Sequence, residues 1–104
     1  MVQTNAVVDV LAERQRQISV EGWTPESDDR HVDGAMASAA ACYALATDEH
    51  RLSFKHLNLW PWSLTWWKPN GRRRNLIKAG ALILAEIERL DRAAAAPKTG
   101  GANG

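Results

Sequence analysis

The residues of this chain best suited to chemistry lie in WPWSLTWWKPNGRRRN, residues 60–75. This stretch holds four of the five tryptophans, and three arginines, Arg72–Arg74, follow them directly. Nucleotide bases stack on aromatic faces for about 1–3 kcal/mol each, and arginine forks bind phosphates. The adjacency therefore predicts a site for a nucleotide-sized ligand. The alternative is structural: a small helical protein with one Phe and one Tyr also uses tryptophan to complete its core.

The tryptophans in the two halves of this stretch are expected to lie in different environments. Trp60 and Trp62 are expected to be mainly core, whereas Trp66 or Trp67 turns towards the arginines. Cations at a helix N-terminus are disfavoured by the helix dipole, so something negative must compensate for Arg72–Arg74. A phosphate would do so, and so would the acids of residues 26–33.

A second group of chemistry-bearing residues follows the first helix. Trp23 either packs back on that helix or forms one wall of a cleft. Asp28 and Asp29 are expected to accept hydrogen bonds from arginines, and the alternative is a ribose hydroxyl. The three histidines lack zinc-ligand spacing and the serines lack an evident base partner, so no catalytic residue and no metal ligand is assigned. Whether the chain is an enzyme stays open, with binding favoured.

Composition places the chain among soluble globular domains. Its 104 residues are 45% hydrophobic and 24% charged, with a net charge of +1, which predicts one domain and gives no strong nucleic-acid signal. The lone Cys42 excludes an intrachain disulfide and favours a reducing compartment. The first residues do not resemble a secretory signal, and the apolar run 35–46 is too short to cross a bilayer. The expected location is the cytoplasm.

The elements that position these residues are expected to be helices in one domain, residues 1–95. The first helix begins at Thr4 or Asn5 and ends before Gly22; its apolar residues are Val7, Val8, Leu11 and Ile18, and residues 13–17 form its wet side. A polar connection, residues 24–34, leads to an alanine-rich helix at about 35–46, which Asp33 caps. Small residues on this helix could let a second copy approach closely, which favours a homo-oligomer.

The second half is expected to contain an irregular segment and a long helix. Residues 47–59 show no clear period, and a short helical turn is expected within 61–67. Asn70 caps the last helix, from Gly71 to about Ala95, and a disordered tail follows at 96–104. The fold prediction is a mainly α, small three-helix domain with a long Trp-rich connection.

The order of these motifs resembles the ryanodine-receptor (RyR) repeat domain. An arginine-bearing helix with Arg16, then Gly22-Trp23, Asp28-Asp29, an apolar helix and a long last helix match that family over roughly residues 8–92. The family usually has a lysine and a His-Pro pair after the acids, whereas this chain has His31 without a proline. The resemblance implies a RyR-repeat-like fold.

A longer resemblance is carried by ERQRQISVEGWTPESDD, WPW, WWKP and KAGALILAEIERLDR. Together they are similar to a family of small uncharacterised phage and prophage proteins. That resemblance implies a phage origin. RyR-like domains of prokaryotes have been proposed to sense nucleotide-derived signals such as ADP-ribose derivatives.

The resulting hypothesis is a non-enzymatic module, without cofactor or membrane partner, that binds a nucleotide-derived small molecule and sequesters a host immune signal during infection. The alternative is a protein-interaction module that uses Trp and Arg as a hot-spot patch for a host protein. The predicted ligand-binding residues are Arg16, Trp23, Asp28, Asp29, His31, Trp66, Trp67, Lys68, Arg72, Arg73 and Arg74.

Overall fold

A computed structural model describes residues 2–46 and 58–96, and within these ranges the chain is helical with no β-strand. The mainly α prediction is confirmed. Residues 47–57 of the segment 47–59 that was expected to be irregular, and residues 97–104 of the predicted tail 96–104, lie outside the described residues. The helices are α1 (Asn5–Ser19), α2 (Pro25–Asp28), α3 (Ala35–Leu45) and α4 (Arg72–Ala95), and a 3-10 turn spans Leu64–Trp66.

Helix α2 is an addition to the predicted set, since it lies inside the stretch expected to be a polar connection. Its single turn begins after Thr24, whose side chain accepts a hydrogen bond from the amide of Ser27 at 3.2 Å. Pro25 occupies the first helical position, where its missing N–H costs nothing. This short helix carries Asp28 into the interior, where the carboxylate is 3% exposed.

Helix α1 begins as predicted, because the hydroxyl of Thr4 accepts a hydrogen bond from the amide of Val7 at 3.3 Å. The predicted wet side is wrong in part: Glu13, Arg14 and Gln17 are 1%, 6% and 1% exposed. These polar side chains face α4, which supplies Arg74 to Glu13 and Glu88 to Arg14. Ion pairs thus join α1 to α4, and the predicted apolar face is wrong in part, because Val7, Val8 and Leu11 are 44%, 46% and 47% exposed.

Helix α3 packs its small residues on α4. Ala39 and Ala40 are 0% and 2% exposed and belong to a core cluster with Ala79 and Leu82 of α4. Asp33 contributes as predicted, since its Oδ1 accepts from the amide of Ala35 at 3.1 Å, although Gly34 is the N-cap residue. The alanine face that was expected to pair two copies is thus occupied within one chain.

The start of α4 differs from the prediction that Asn70 caps it. Gly71 is the N-cap residue and makes no side-chain cap. Asn70 instead exchanges hydrogen bonds with Asn75: its amide donates to Oδ1 of Asn75 at 2.6 Å, and its carbonyl accepts from Nδ2 at 3.0 Å. None of the helices in the described residues is long and apolar enough to span a membrane.

Candidate functional site

A cleft of about 430 Å³ opens where the end of α1, α2, α4 and the tryptophan segment meet. Aromatic rings line its walls, large apolar side chains from α3 and α4 line its interior, and an ion pair lies at its base. We call it the aromatic cleft. Its lining residues are Arg14, Glu21, Gly22, Trp23, Ser27, Asp28, His31, Met36, Trp62, Ser63, Trp66, Leu82 and Ala85.

Three indoles and one imidazole form the walls of the aromatic cleft. The Trp23 ring lies 5.7 Å from that of Trp62 and 6.4 Å from that of Trp66, with interplanar angles of 49° and 47°. His31 lies 5.3 Å from Trp62 between ring centroids. Trp66 is 42% exposed, so part of its surface remains free at the mouth. Rings tilted in this way offer one stacking face and several edges to a flat ligand.

The position of Trp23 follows from the turn that precedes it. Gly22 has a φ of +77°, in the left-handed region that glycine adopts without steric cost. The chain reverses there, and the amide of Trp23 donates to the carbonyl of Gln17 at 2.9 Å. The indole is thereby held against the end of α1.

Gly22→Ala is expected to lower the free energy of unfolding by about 1–2 kcal/mol, the cost of a left-handed residue with a Cβ. An added Cβ would meet no atom within 4 Å, so backbone strain alone causes the loss. Gly22→Asn should lose less, since Asn adopts this region more readily. Urea unfolding measures both variants, and equal stability of Gly22→Ala and the wild type would contradict the assigned backbone geometry.

The base of the aromatic cleft is a buried ion pair between α1 and α2. The Arg14 guanidinium donates from Nη2 to Oδ2 of Asp28 at 2.9 Å and from Nη1 to the carbonyl of Trp23 at 3.3 Å. Its Nε donates to Oε1 of Glu88 on α4 at 3.2 Å. Burial raises the pKa of Asp28 above its usual range, although the Arg14 charge and hydrogen bond act in the opposite direction. Through its contacts with Asp28 and Glu88, Arg14 joins three helices and gives the cleft a polar floor.

Of the other two tryptophans of the segment, Trp60 lies in the core and the half-buried Trp67 packs against it. Trp60 is 8% exposed and lies 4.9 Å from Trp67 and 5.7 Å from Tyr43 between ring centroids. Trp67 in turn lies 4.7 Å from Tyr43. The expected core position of Trp60 is therefore confirmed, and of Trp66 and Trp67 it is Trp66 that is exposed. The expectation for Trp62 is wrong in part, because this half-buried ring packs against the core cluster and also lines the aromatic cleft with Trp66.

A polar network beside the aromatic cleft centres on Glu13. Its carboxylate accepts from Arg16 at 2.8 and 2.9 Å, from Gln17 at 3.1 Å, and from Arg74. Burial would raise the pKa of Glu13, but the hydrogen bonds and charges of Arg16 and Arg74 outweigh it and hold the pKa below its usual value. Arg16 also reaches Glu21 at 3.3 Å. This network fixes α1 against the start of α4.

Lys68 and Lys78 extend the polar region beyond this network. Lys78 donates to the carbonyl of Lys68 at 2.6 Å, and burial lowers its pKa below the usual value for lysine. The ammonium of Lys68 lies 3.6 Å from Glu21 and 5.7 Å from the centre of the Trp66 ring. The ammonium of Lys68 therefore lies over the Trp66 ring and forms a cation–π contact with it.

The arginines at the start of α4 do not line the aromatic cleft. Arg73 pairs with Asp9 at 2.9 Å and Arg74 pairs with Glu13, both on α1. Arg72 donates to the carbonyl of Ala46 at 3.0 Å and to that of Ala44. The compensating acids thus come from α1, and not from residues 26–33 as one alternative expected.

The predicted binding residues divide between the aromatic cleft and other surfaces. Trp23, Asp28, His31 and Trp66 line the cleft together. Arg16 and Lys68 belong to the adjacent polar network, Trp67 packs against the core cluster, and Asp29 belongs to an exposed pair with Arg92 at 2.8 Å. The expected salt-bridge role of the two acids is confirmed, for Asp28 with Arg14 and for Asp29 with Arg92.

Sequence reasoning missed the part of the site that comes from distant elements. Arg14 and Glu21 both line the aromatic cleft, although neither is among the binding residues predicted from the sequence. Met36 and Leu82 supply the apolar interior from two different helices. No local motif marks these residues, because their role depends on which elements meet.

In residues 2–46 and 58–96 the chain is mainly helical, and an aromatic-walled cleft lies over a buried Arg–Asp pair. Comparison with protein-family models, with curated proteins and with solved structures finds no significant match to this chain. Among residues 2–46 and 58–96, no group of three His, Cys, Asp or Glu side chains is arranged to hold a metal ion.

Proposed function

We propose that this chain is a non-enzymatic binding module for a nucleotide-derived small molecule of the ADP-ribose or cyclic-nucleotide type. The observation that carries the proposal is the convergence of Trp23, Trp62 and Trp66 on one cleft of about 430 Å³. Small-molecule sites typically occupy about 300–1,000 Å³ and combine aromatic walls with a few polar groups. The aromatic cleft has both properties.

The base of the ligand is assigned to the tryptophan walls. Because Trp23 makes angles of 49° and 47° with Trp62 and Trp66, it does not form a parallel sandwich around the ligand with either of them. A base would stack on one indole face and meet the edges of the others, an arrangement that aromatic rings favour. One such stack contributes about 1–3 kcal/mol.

The polar parts of the ligand are assigned to the floor and the mouth of the cleft. Asp28, held in place by Arg14, is the acceptor for a ribose hydroxyl. His31 and Lys68 stand beside Trp62 and Trp66 and supply donors for phosphate oxygens. Arg72–Arg74 are left out of this assignment, since their guanidiniums already contact α1 and the end of α3.

The biological setting of the proposal comes from the resemblance to phage and prophage proteins. A module that binds a nucleotide signal without converting it would lower the free concentration of that signal in the cytoplasm of the infected host. Sequestration of a host immune signal is the function proposed on that basis. No residue is assigned a catalytic role.

The proposal is tested by isothermal titration calorimetry against ADP-ribose, its cyclic isomers and cyclic dinucleotides. At least one of these is expected to bind the wild type, and Trp66→Ala should weaken that binding about tenfold to a hundredfold. Leu64→Ala is the matched control, because Leu64 is 60% exposed on the same 3-10 turn and does not line the aromatic cleft. No heat with any of these compounds at millimolar concentration would refute the proposal.

A second readout separates binding from turnover and from the protein-interaction alternative. Chromatography of the bound compound after overnight incubation should recover it unchanged, and conversion would show an enzyme instead. The exposed Trp66 and Leu64 side chains favour the protein-interaction alternative. A stoichiometric host protein retained by the wild type and lost with Trp66→Ala, together with silent calorimetry, would establish it.

A further inference from the structure

The described surface carries an unpartnered row of large aliphatic side chains along α4. Positions 76, 80, 83, 87 and 90 follow each other at intervals of four, three, four and three residues, the spacing of a coiled-coil seam. Four of them are Leu76, Ile83, Ile87 and Leu90, which are 44%, 48%, 48% and 52% exposed, and the fifth is Gly80. We call these four side chains the aliphatic stripe.

Helix α1 extends the aliphatic stripe. A Cβ added to Gly80 would lie 3.3 Å from the methyl groups of Val10, so α1 crosses α4 beside the stripe. Val7 and Leu11, one turn before and one residue after Val10, are 44% and 47% exposed. A contiguous surface of half-exposed aliphatic side chains on a soluble domain typically marks an interaction site.

The aliphatic stripe does not take part in the packing of the core. Other parts of the α4 surface are already occupied, since Ala79 and Leu82 pack on α3, and Leu82 and Ala85 line the aromatic cleft. At about 100° per residue, Ala85 lies on the far side of α4 from Ile83. The stripe and the aromatic cleft therefore use different faces of one helix.

We propose that the aliphatic stripe is the docking surface for a second copy of this chain, with the two α4 helices antiparallel about a twofold axis near Ile83. Leu76 and Leu90 lie seven positions before and after Ile83, so three of the four stripe residues face each other when one helix is reversed about Ile83, whereas Ile87 has no stripe residue opposite it. Reversal of one helix brings Leu76 of each copy opposite Leu90 of the other. An isologous dimer brings the same patch of both copies together in this way.

The charges of α4 favour the same arrangement. Three arginines open the helix, whereas its last ten residues hold Glu86, Glu88 and Asp91 against Arg89 and Arg92, a net charge of −1. From Ile83, Arg73 is about 15 Å towards one end and Asp91 about 12 Å towards the other, at 1.5 Å per residue. An antiparallel pair thus brings Arg73, which pairs with Asp9 in its own chain and whose side chain is 63% exposed, close to the exposed Asp91 of the other copy. A parallel pair would place like charges together.

The first test is the mass in solution. Sedimentation equilibrium of the wild type should give twice the 11.5 kDa of one chain, and Ile83→Glu should raise the dissociation constant at least tenfold. Val32→Glu is the matched control, because Val32 is 72% exposed outside the stripe and should leave the dimer intact. A wild type that is monomeric at millimolar concentration, or a dimer insensitive to Ile83→Glu, would overturn the proposal.

The second test addresses the direction of pairing through charge exchange. Arg73→Glu and Asp91→Arg should each weaken the homodimer, because each places like charges at both ends of the interface. A mixture of the two single variants should form a heterodimer in which both ends are attractive. Native mass spectrometry detects it, and failure of the mixture to associate better than either variant alone would exclude the antiparallel pairing. Circular dichroism confirms that each variant is folded, and neither test depends on ligand binding.

Discussion

Arg14→Met is expected to lower the free energy of unfolding by about 3–5 kcal/mol, the usual cost of removing one partner of a buried ion pair. Arg14 is 6% exposed and donates to Asp28, to Glu88 and to the carbonyl of Trp23. Methionine fills much of the same space without any donor. The Asp28 carboxylate, 3% exposed, would then be buried without its cation.

Urea unfolding at neutral pH measures this loss, and an exposed ion pair supplies the control. Arg92 and Asp29 pair at 2.8 Å with side chains 35% and 50% exposed. Exposed pairs contribute about 0–1 kcal/mol, so Arg92→Met should change stability little. A loss for Arg14→Met no larger than that for Arg92→Met would contradict the buried pair.

A double variant separates the effect of an unpaired buried charge from the effect of lost packing. Arg14→Met combined with Asp28→Leu removes both partners, so no lone charge remains buried. We expect this double variant to be more stable than Arg14→Met alone, as happens when whole buried pairs are replaced by apolar residues. A double variant less stable than either single variant would show that these two residues act through contacts other than their ion pair.

The burial of polar residues on α1 could not be predicted from the sequence. Local signals predicted the helices well: Thr4 caps α1 as expected, and the alanines of α3 form the helix that their propensity favours. The burial of Glu13 and Arg14 has no such signal. Their partners Arg74 and Glu88 lie 61 and 74 positions away in sequence, so burial depends on how the helices cross.

The same reasoning explains which part of the candidate site could be predicted. Trp23, Asp28 and His31 lie within nine residues, and one turn with one short helix brings them to the same cleft. The tryptophan segment has neither a helical nor a strand period over its length, so sequence gave no basis for sorting Trp62 from Trp67. Contacts with Tyr43 on α3 hold the half-buried Trp67 against the core cluster, whereas Trp62, which also packs against that cluster, lines the aromatic cleft.

Glu13→Gln is expected to lower the free energy of unfolding by about 3 kcal/mol at pH 7. Glu13 is 1% exposed, and its carboxylate accepts hydrogen bonds from Arg16, Gln17 and Arg74. The amide of glutamine keeps the shape but removes the charge and turns two N–H donors towards other donors. Both the contact between α1 and α4 and the anchoring of Arg74 should weaken.

This loss should depend on pH in a definite direction. The pKa of Glu13 is held below its ordinary value of 4.5 in the folded protein, so the unfolded chain takes up a proton at this position first on acidification. The stability that the carboxylate contributes is present above about pH 4.5 and disappears as the pH falls through the lower, folded pKa. The gap between the wild type and Glu13→Gln should therefore be constant from about pH 6 to 7 and narrow steadily in acid.

Urea unfolding at a series of pH values from neutral to acid measures the gap directly. Glu26→Gln is the control, because Glu26 is exposed on α2 and its substitution should stay within about 0.5 kcal/mol of the wild type throughout. A gap that persists unchanged in acid would mean that the loss in Glu13→Gln arises from packing alone. A gap that narrows identifies the ionised Glu13 as the group that holds α1, Arg16 and the first turn of α4 together beside the aromatic cleft.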